Sequence, residues 1–270
     1  EARAGRRGDV SGLEALAPFL DVAAASLYAI AGVFARVGAA VALLPGFGET
    51  GLPTRVKLGA AVVFAMVVWP AVAPVAATPT DAAGFGLTIA AEAVAGLLIG
   101  LSARLLIFAL QIAGAIAAQA TSVAQMFGEG LTADPQPAYS NVLAVAGIAL
   151  AFALGLPAWA ASAMIGSYAT IPFGAFPPDA DVARWGVARV AGAFETAIGI
   201  ATPFLVTAFA YNVALGAINK AMPQLMVAFV GAPAITAGAL LMMFLVTPLA
   251  LSLWGGHMQA VLLDPFGAMP

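Results

Sequence analysis

Residues 85–126 form one apolar run in which the only ionisable side chains are Glu92 and Arg104. Coiled as a helix rising about 1.5 Å per residue, such a run is about 60 Å long, twice the ~30 Å hydrocarbon core of a bilayer. It must therefore tilt, bend, re-enter or project beyond the membrane. Similar segments occupy 22–44, 58–77, 142–171, 190–218 and 225–253, so the sequence predicts about six apolar helices. Turn residues punctuate them at Pro45-Gly46-Phe47-Gly48, Thr78-Pro79-Thr80-Asp81, Asp134-Pro135-Gln136-Pro137 and Pro177-Pro178-Asp179.

Composition closes off the aqueous alternative. With 63% hydrophobic residues against 9% charged, there are too few charges to coat a core in water. The expected fold is an all-α membrane protein of about six partly broken helices arranged as helical hairpins. A net charge of -3 leaves no basic stripe for a nucleic-acid backbone. The polar stretch 1–20, with Arg3, Arg6, Arg7 and Asp9, is set apart as a tail and does not read as a cleaved signal peptide.

Charges inside apolar segments each cost about 3 kcal/mol at mid-membrane. Here they are Arg36, Glu92, Arg104 and Glu195, with Lys220 at a segment end. One reading is an ion or proton path. The simpler one is pairing, with Glu92 and Arg104 bearing opposite signs in one segment while Glu195 and Lys220 face partner chains. Pro70, Pro74, Pro157 and Pro203 each remove a backbone donor that lipid cannot replace, so protein neighbours are expected to cover those sites. Gly96-x-x-x-Gly100 permits close helix approach.

Enzyme signatures are missing. His257 is the sole histidine and there is no cysteine, so neither a two-His metal motif nor a thiol nucleophile can be assembled. Gly46-x-Gly48 has no following Lys of the phosphate-loop kind. No catalytic set, cofactor or metal is expected.

Two stretches stand out. Leu52-Pro53-Thr54-Arg55-Val56-Lys57-Leu58-Gly59 follows the Gly46-Phe47-Gly48 turn, and a second run extends from Asn212 through Asn219, Lys220, Pro223 and Gln224 to Met226. In physical terms the second is a helical hairpin with a polar tip, either bound to something or merely solvated. At these residues the chain resembles the FliR family of flagellar biosynthetic proteins and its SctT-like virulence counterparts in type III secretion. The match rests on the Pro-x-Arg-Val-Lys-Leu-Gly run and on Ala214-Leu215-Gly216 through Asn219-Lys220 and Pro223-Gln224-Leu225 to Pro233. A third match covers 119–135. Where family members carry Asn-Gly-His before a Trp, this chain has Gly155-Leu156-Pro157 before Trp159.

The resemblance implies a FliP-like part over 21–184 and a FliQ-like C-terminal helical hairpin over 185–270, after the 1–20 tail. It implies a non-enzymatic subunit of the flagellar export gate in the bacterial inner membrane, at the basal body. Expected partners are FliP-like and FliQ-like subunits, FlhB-like and FlhA-like export components, unfolded protein substrates and membrane lipid. It also implies a pore plug over 122–134, with Gln125, Met126 and Phe127 as deformable bulk and Gly128 and Gly130 as its pivots. A secondary transporter of a small solute is the alternative, although no inverted repeat is seen.

Overall fold

The computed structural model describes the backbone of residues 5–73, 82–120, 138–222, 227–267 and 269. Within these, it describes all side chains except those of 5–18, 20, 21, 219, 227–233 and 236. Among the described residues there are seven helices and no strand: α1 Gly5–Leu43, α2 Thr54–Val72, α3 Ala82–Ala120, α4 Ala138–Leu154, α5 Leu156–Thr170, α6 Asp179–Ala221 and α7 Val227–Leu263. The all-α membrane fold read from the apolar segments is thus the fold observed. Five helices are long and apolar enough to cross a bilayer, and the α4 and α5 pair makes a sixth span if counted as one. The long central run is a single helix, α3, of 39 residues. Helix α1 begins at Gly5, inside the stretch set apart as a tail.

The chain divides into two units, 1–100 with 161–178, and 101–160 with 179–270. In the first, α1 and α2 form a hairpin. Leu44 follows the end of α1, its carbonyl accepts from the N–H groups of Phe47 and Gly48, and Gly46 takes the left-handed φ of 80° that the tight turn requires. Pro53 then precedes α2, and Phe47 packs edge-on against Phe64. Along α1, Val33, Val37, Ala40, Val41 and Leu44 recur at helical spacing and are fully buried. Gly96 and Gly100, one turn apart on α3, lie against the α1 backbone. A Cβ on Gly96 would collide with the Arg36 carbonyl, and one on Gly100 would sit 2.6 Å from the Ala40 carbonyl oxygen. The Gly-x-x-x-Gly spacing serves packing within the chain.

The second unit uses small residues similarly. Ala109 and Ala113 of α3 bury against Ala193 and Ala197 of α6, and Gly114 abuts Ser140. Two indoles are tied to main-chain oxygens: Trp254 Nε1 donates to Leu106 O at 2.8 Å and Trp185 Nε1 to Pro265 O at 2.8 Å. The helices α4 and α5 meet at a 74° bend. The break is Gly155, at φ 102°, whose carbonyl starts α5 by accepting from Ala158 and Trp159. Pro157 therefore lies in the first turn of α5, where its missing donor would be unused anyway. This differs from the expectation that its site needs covering by a neighbour. Pro70 and Pro203 do lie inside α2 and α6.

Polar side chains on α6 are satisfied by their own helix. Thr196, Thr202 and Thr207 donate to the carbonyls of Gly192, Ile198 and Pro203 at 2.7–2.8 Å, and Asn212 Nδ2 donates to Ala208 O at 2.9 Å. Each reaches four residues back, which removes the penalty of presenting a free donor to lipid.

Candidate functional site: a buried charge network

The most polar interior point of the first unit is built on Arg36 of α1, which has no exposed surface, and Glu92 of α3, which has none either. The guanidinium grips the carboxylate with two bonds, Nε to Oε2 and Nη2 to Oε1, both 2.9 Å. Arg36 Nη1 donates to Ser167 Oγ at 2.9 Å and Nη2 also reaches Ile171 O at 3.1 Å. Tyr168 OH donates to Glu92 Oε2 at 2.9 Å, and the Gly174 N–H donates to Oε1 at 2.8 Å. Each carboxylate oxygen thus receives two donors. The guanidinium also lies 3.6 Å above the Tyr168 ring, adding a cation–π contact in a desolvated setting.

Local sequence explains the convergence. Ser167 and Tyr168 lie in the last turn of α5, and the chain then turns through Ile171-Pro172-Phe173-Gly174. Gly174 adopts φ 74°, a conformation L side chains avoid, and this aims its N–H at Glu92. Phe173 stacks on Tyr168 with ring centroids 6.3 Å apart and fills the space left by Gly32, where a Cβ would come within 2.5 Å of the ring. The arrangement joins α1, α3 and the end of α5 at one point. It leaves no carboxylate lone pair aimed at a passing ion, so its chemistry is that of a fastener.

The sequence-derived residues fall differently. Glu92 bonds Arg36, 56 residues earlier, and not Arg104. Twelve residues along one helix separate Glu92 from Arg104 by about 18 Å, which forbids a direct pair. Arg104 instead lies over the Phe108 ring, 5.4 Å from its centroid. Glu195 is exposed on α6, as is Lys220 in the last turn of that helix. Asn212 is held by Ala208 O. The side chain of Asn219, together with Pro223 and Gln224, lies outside the described residues, and so does 122–134 with Gln125, Met126, Phe127, Gly128 and Gly130. Ser167, Tyr168 and Gly174 were not singled out from sequence. Their signal was a Ser-Tyr pair closing an apolar segment just before a Pro-Phe-Gly turn.

Comparison with known proteins supplies the family. The model of the bacterial export proteins, family 1, matches residues 27–261. The flagellar biosynthetic protein FliR of Caulobacter vibrioides is 32% identical over 210 residues, 77% of this chain and 83% of that protein. The flagellar biosynthetic protein FliR of Pectobacterium carotovorum subsp. carotovorum is 28% identical over 219 residues, 80% of this chain and 83% of the relative. The match takes in Arg36, Glu92, Ser167, Tyr168 and most of both described units, and the chain belongs to the bacterial export proteins, family 1.

Proposed function

We propose that this chain is a subunit of the flagellar type III export gate in the bacterial inner membrane, assembled with FliP-like and FliQ-like subunits into the pore through which unfolded flagellar proteins leave. The carrying observation is the family match across 27–261, joined by two FliR relatives each covered over 83% of their length. Phe194, Ile198, Phe209 and Phe244 are each more than half exposed on the spanning helices α6 and α7, an apolar surface for neighbouring subunits or lipid to cover. The protein contributes shape and gating, not catalysis. FlhB-like and FlhA-like components and membrane lipid complete its surroundings.

Within that reading, 21–184 is the FliP-like part and 185–270 the FliQ-like hairpin, with Asn212, Asn219, Lys220, Pro223 and Gln224 at the tip facing a neighbour. Residues 122–134, between α3 and α4, form the closed-state plug, in which Met126 and Phe127 fill the pore and Gly128 and Gly130 let the segment swing aside. Glu195 faces a cation or donor on a partner chain. The test is a chromosomal deletion complemented with an affinity-tagged chain. FliP-like and FliQ-like subunits should co-purify with the tag and motility should return. Replacing Met126 and Phe127 with Gly should leave assembly intact but make the membrane leak ions. Rescue of motility without co-purified partners would sink the gate reading, and solute uptake in proteoliposomes of the chain alone would favour the transporter.

A further inference from the structure

A cavity of about 420 Å³ opens in the second unit between α3, α6 and α7, lined among others by Ser102, Arg189, Gly192, Ala193, His257 and Asp264. Its polar groups are incompletely used. Arg189 Nη2 donates to the carbonyls of Asp264 and Pro265 at 2.9 and 3.0 Å, whereas its Nε–H is buried with no acceptor. The Nε–H is closed off, but Nη1 is neither buried nor bonded to a described residue, so an acceptor in the cavity reaches the guanidinium there. Among the described residues no cation lies within ion-pair distance of the Asp264 carboxylate. His257 Nδ1 lies 3.1 Å from Thr196 Oγ1, whose own hydrogen goes to Gly192 O. The Nδ1–H is therefore the donor in that pair, and a neutral ring keeps Nε2 as an acceptor.

The cavity thus combines one reachable cationic donor, Arg189 Nη1, with two acceptors, a carboxylate and an imidazole nitrogen. It lies where α7 ends, at Leu263, and roughly three turns into α6 from that helix's charged start with Asp179, Asp181 and Arg184. Leu253, one turn before His257 on α7, and Gly199, two turns beyond Gly192 on α6, are exposed. A ligand matching this layout has an anionic acceptor beside an N–H-bearing cation, and an apolar body. We propose that the cavity seats the headgroup of a zwitterionic aminophospholipid, its phosphate on Arg189 and its primary ammonium on Asp264 and His257, with an acyl chain along Leu253.

The full chain reconstituted in nanodiscs of mixed phosphatidylethanolamine, phosphatidylglycerol and phosphatidylcholine should retain phosphatidylethanolamine when released for native mass spectrometry. Phosphatidylcholine has no N–H to give and phosphatidylglycerol has no cation, so both should be retained about tenfold less, as the loss of one charge-assisted hydrogen bond implies. Arg189→Gln should abolish the preference. Because Arg189 also ties down the end of α7, Gly192→Leu provides a second variant. A Cβ there meets nothing within 4 Å, so the side chain should enter the cavity and expel lipid without disturbing the fold. Asp264→Asn should bring phosphatidylethanolamine and phosphatidylglycerol to equal retention. Equal retention of all three lipids by the wild-type chain would overturn the proposal, as would unchanged retention in Gly192→Leu. Displacement of the lipid by soluble O-phosphoethanolamine would assign the site to an aqueous ligand. Loss of partner subunits with lipid retention unchanged would assign it to a protein side chain.

Discussion

Two charged sites in this chain meet the same difficulty, a guanidinium among apolar helices, and meet it in opposite ways. Arg36 is surrounded by its own chain, with a bidentate carboxylate, a hydroxyl, a carbonyl and an aromatic face all within bonding distance. Arg189 has two carbonyls on Nη2, an Nη1 that no described residue bonds, and open volume beside the side chain. The first site is saturated and can only hold; the second is unsaturated and can receive. In a membrane, where no water repairs an omission, that distinction separates a fastening from a binding place more sharply than burial or charge alone.

The comparison breaks most visibly at the saturated site. Glu92→Ala should cost about 3–5 kcal/mol, because it leaves Arg36 buried without its counter-ion. Pulse-chase of the membrane fraction should show rapid loss of the variant, while the paired change Arg36→Leu with Glu92→Leu should recover much of the accumulation. If the double variant were lost as fast as the single, the network would be contributing more than charge neutralisation. Next in size is Tyr168→Phe, which removes one of four donors to a buried carboxylate and should cost about 1.5–3 kcal/mol. Limited proteolysis should then open the α5 to α6 turn first.

Smaller effects sharpen the contrast. Trp254→Phe deletes the bond to Leu106 O and part of a fully buried ring, and should cost about 2 kcal/mol, read as a lower midpoint in thermal unfolding of detergent-solubilised protein. Smallest is Asn212→Leu. Its amide bonds its own helix, so stability should move by no more than about 0.5 kcal/mol. Loss of co-purified partners at unchanged stability is the outcome that the proposed interface at the hairpin tip requires of that variant.

Much of this was legible in the sequence. Apolar length announced every span, and Gly96 and Gly100 at one-turn spacing announced a close helix approach that the structure realises against α1. Three features were not legible for a physical reason. The α4–α5 break was expected from Pro157, but Gly155 makes it, because a proline in a first turn is harmless whereas a left-handed φ ends a helix. The partner of Glu92 was hidden because pairing across 56 residues depends on helix packing that no local spacing encodes. The cavity was hidden more deeply, since Arg189, His257 and Asp264 are unremarkable alone and become a site only when α6 and α7 lie side by side.

The Arg36 network also has a timetable. Its members leave the ribosome in sequence, Arg36 first, Glu92 56 residues later and Ser167 131 residues later. At about 5–20 residues per second, Arg36 waits roughly 3–11 s for its carboxylate and roughly 7–26 s for the hydroxyl. During that interval α1 carries a bare cation, whose long side chain must reach toward the nearest headgroups. The four polar side chains of α6, bonded within their own helix, impose no such delay. Insertion of the first helix is therefore provisional until the third has been made, and a pause in translation before Glu92 would expose α1 to the membrane's quality-control proteases.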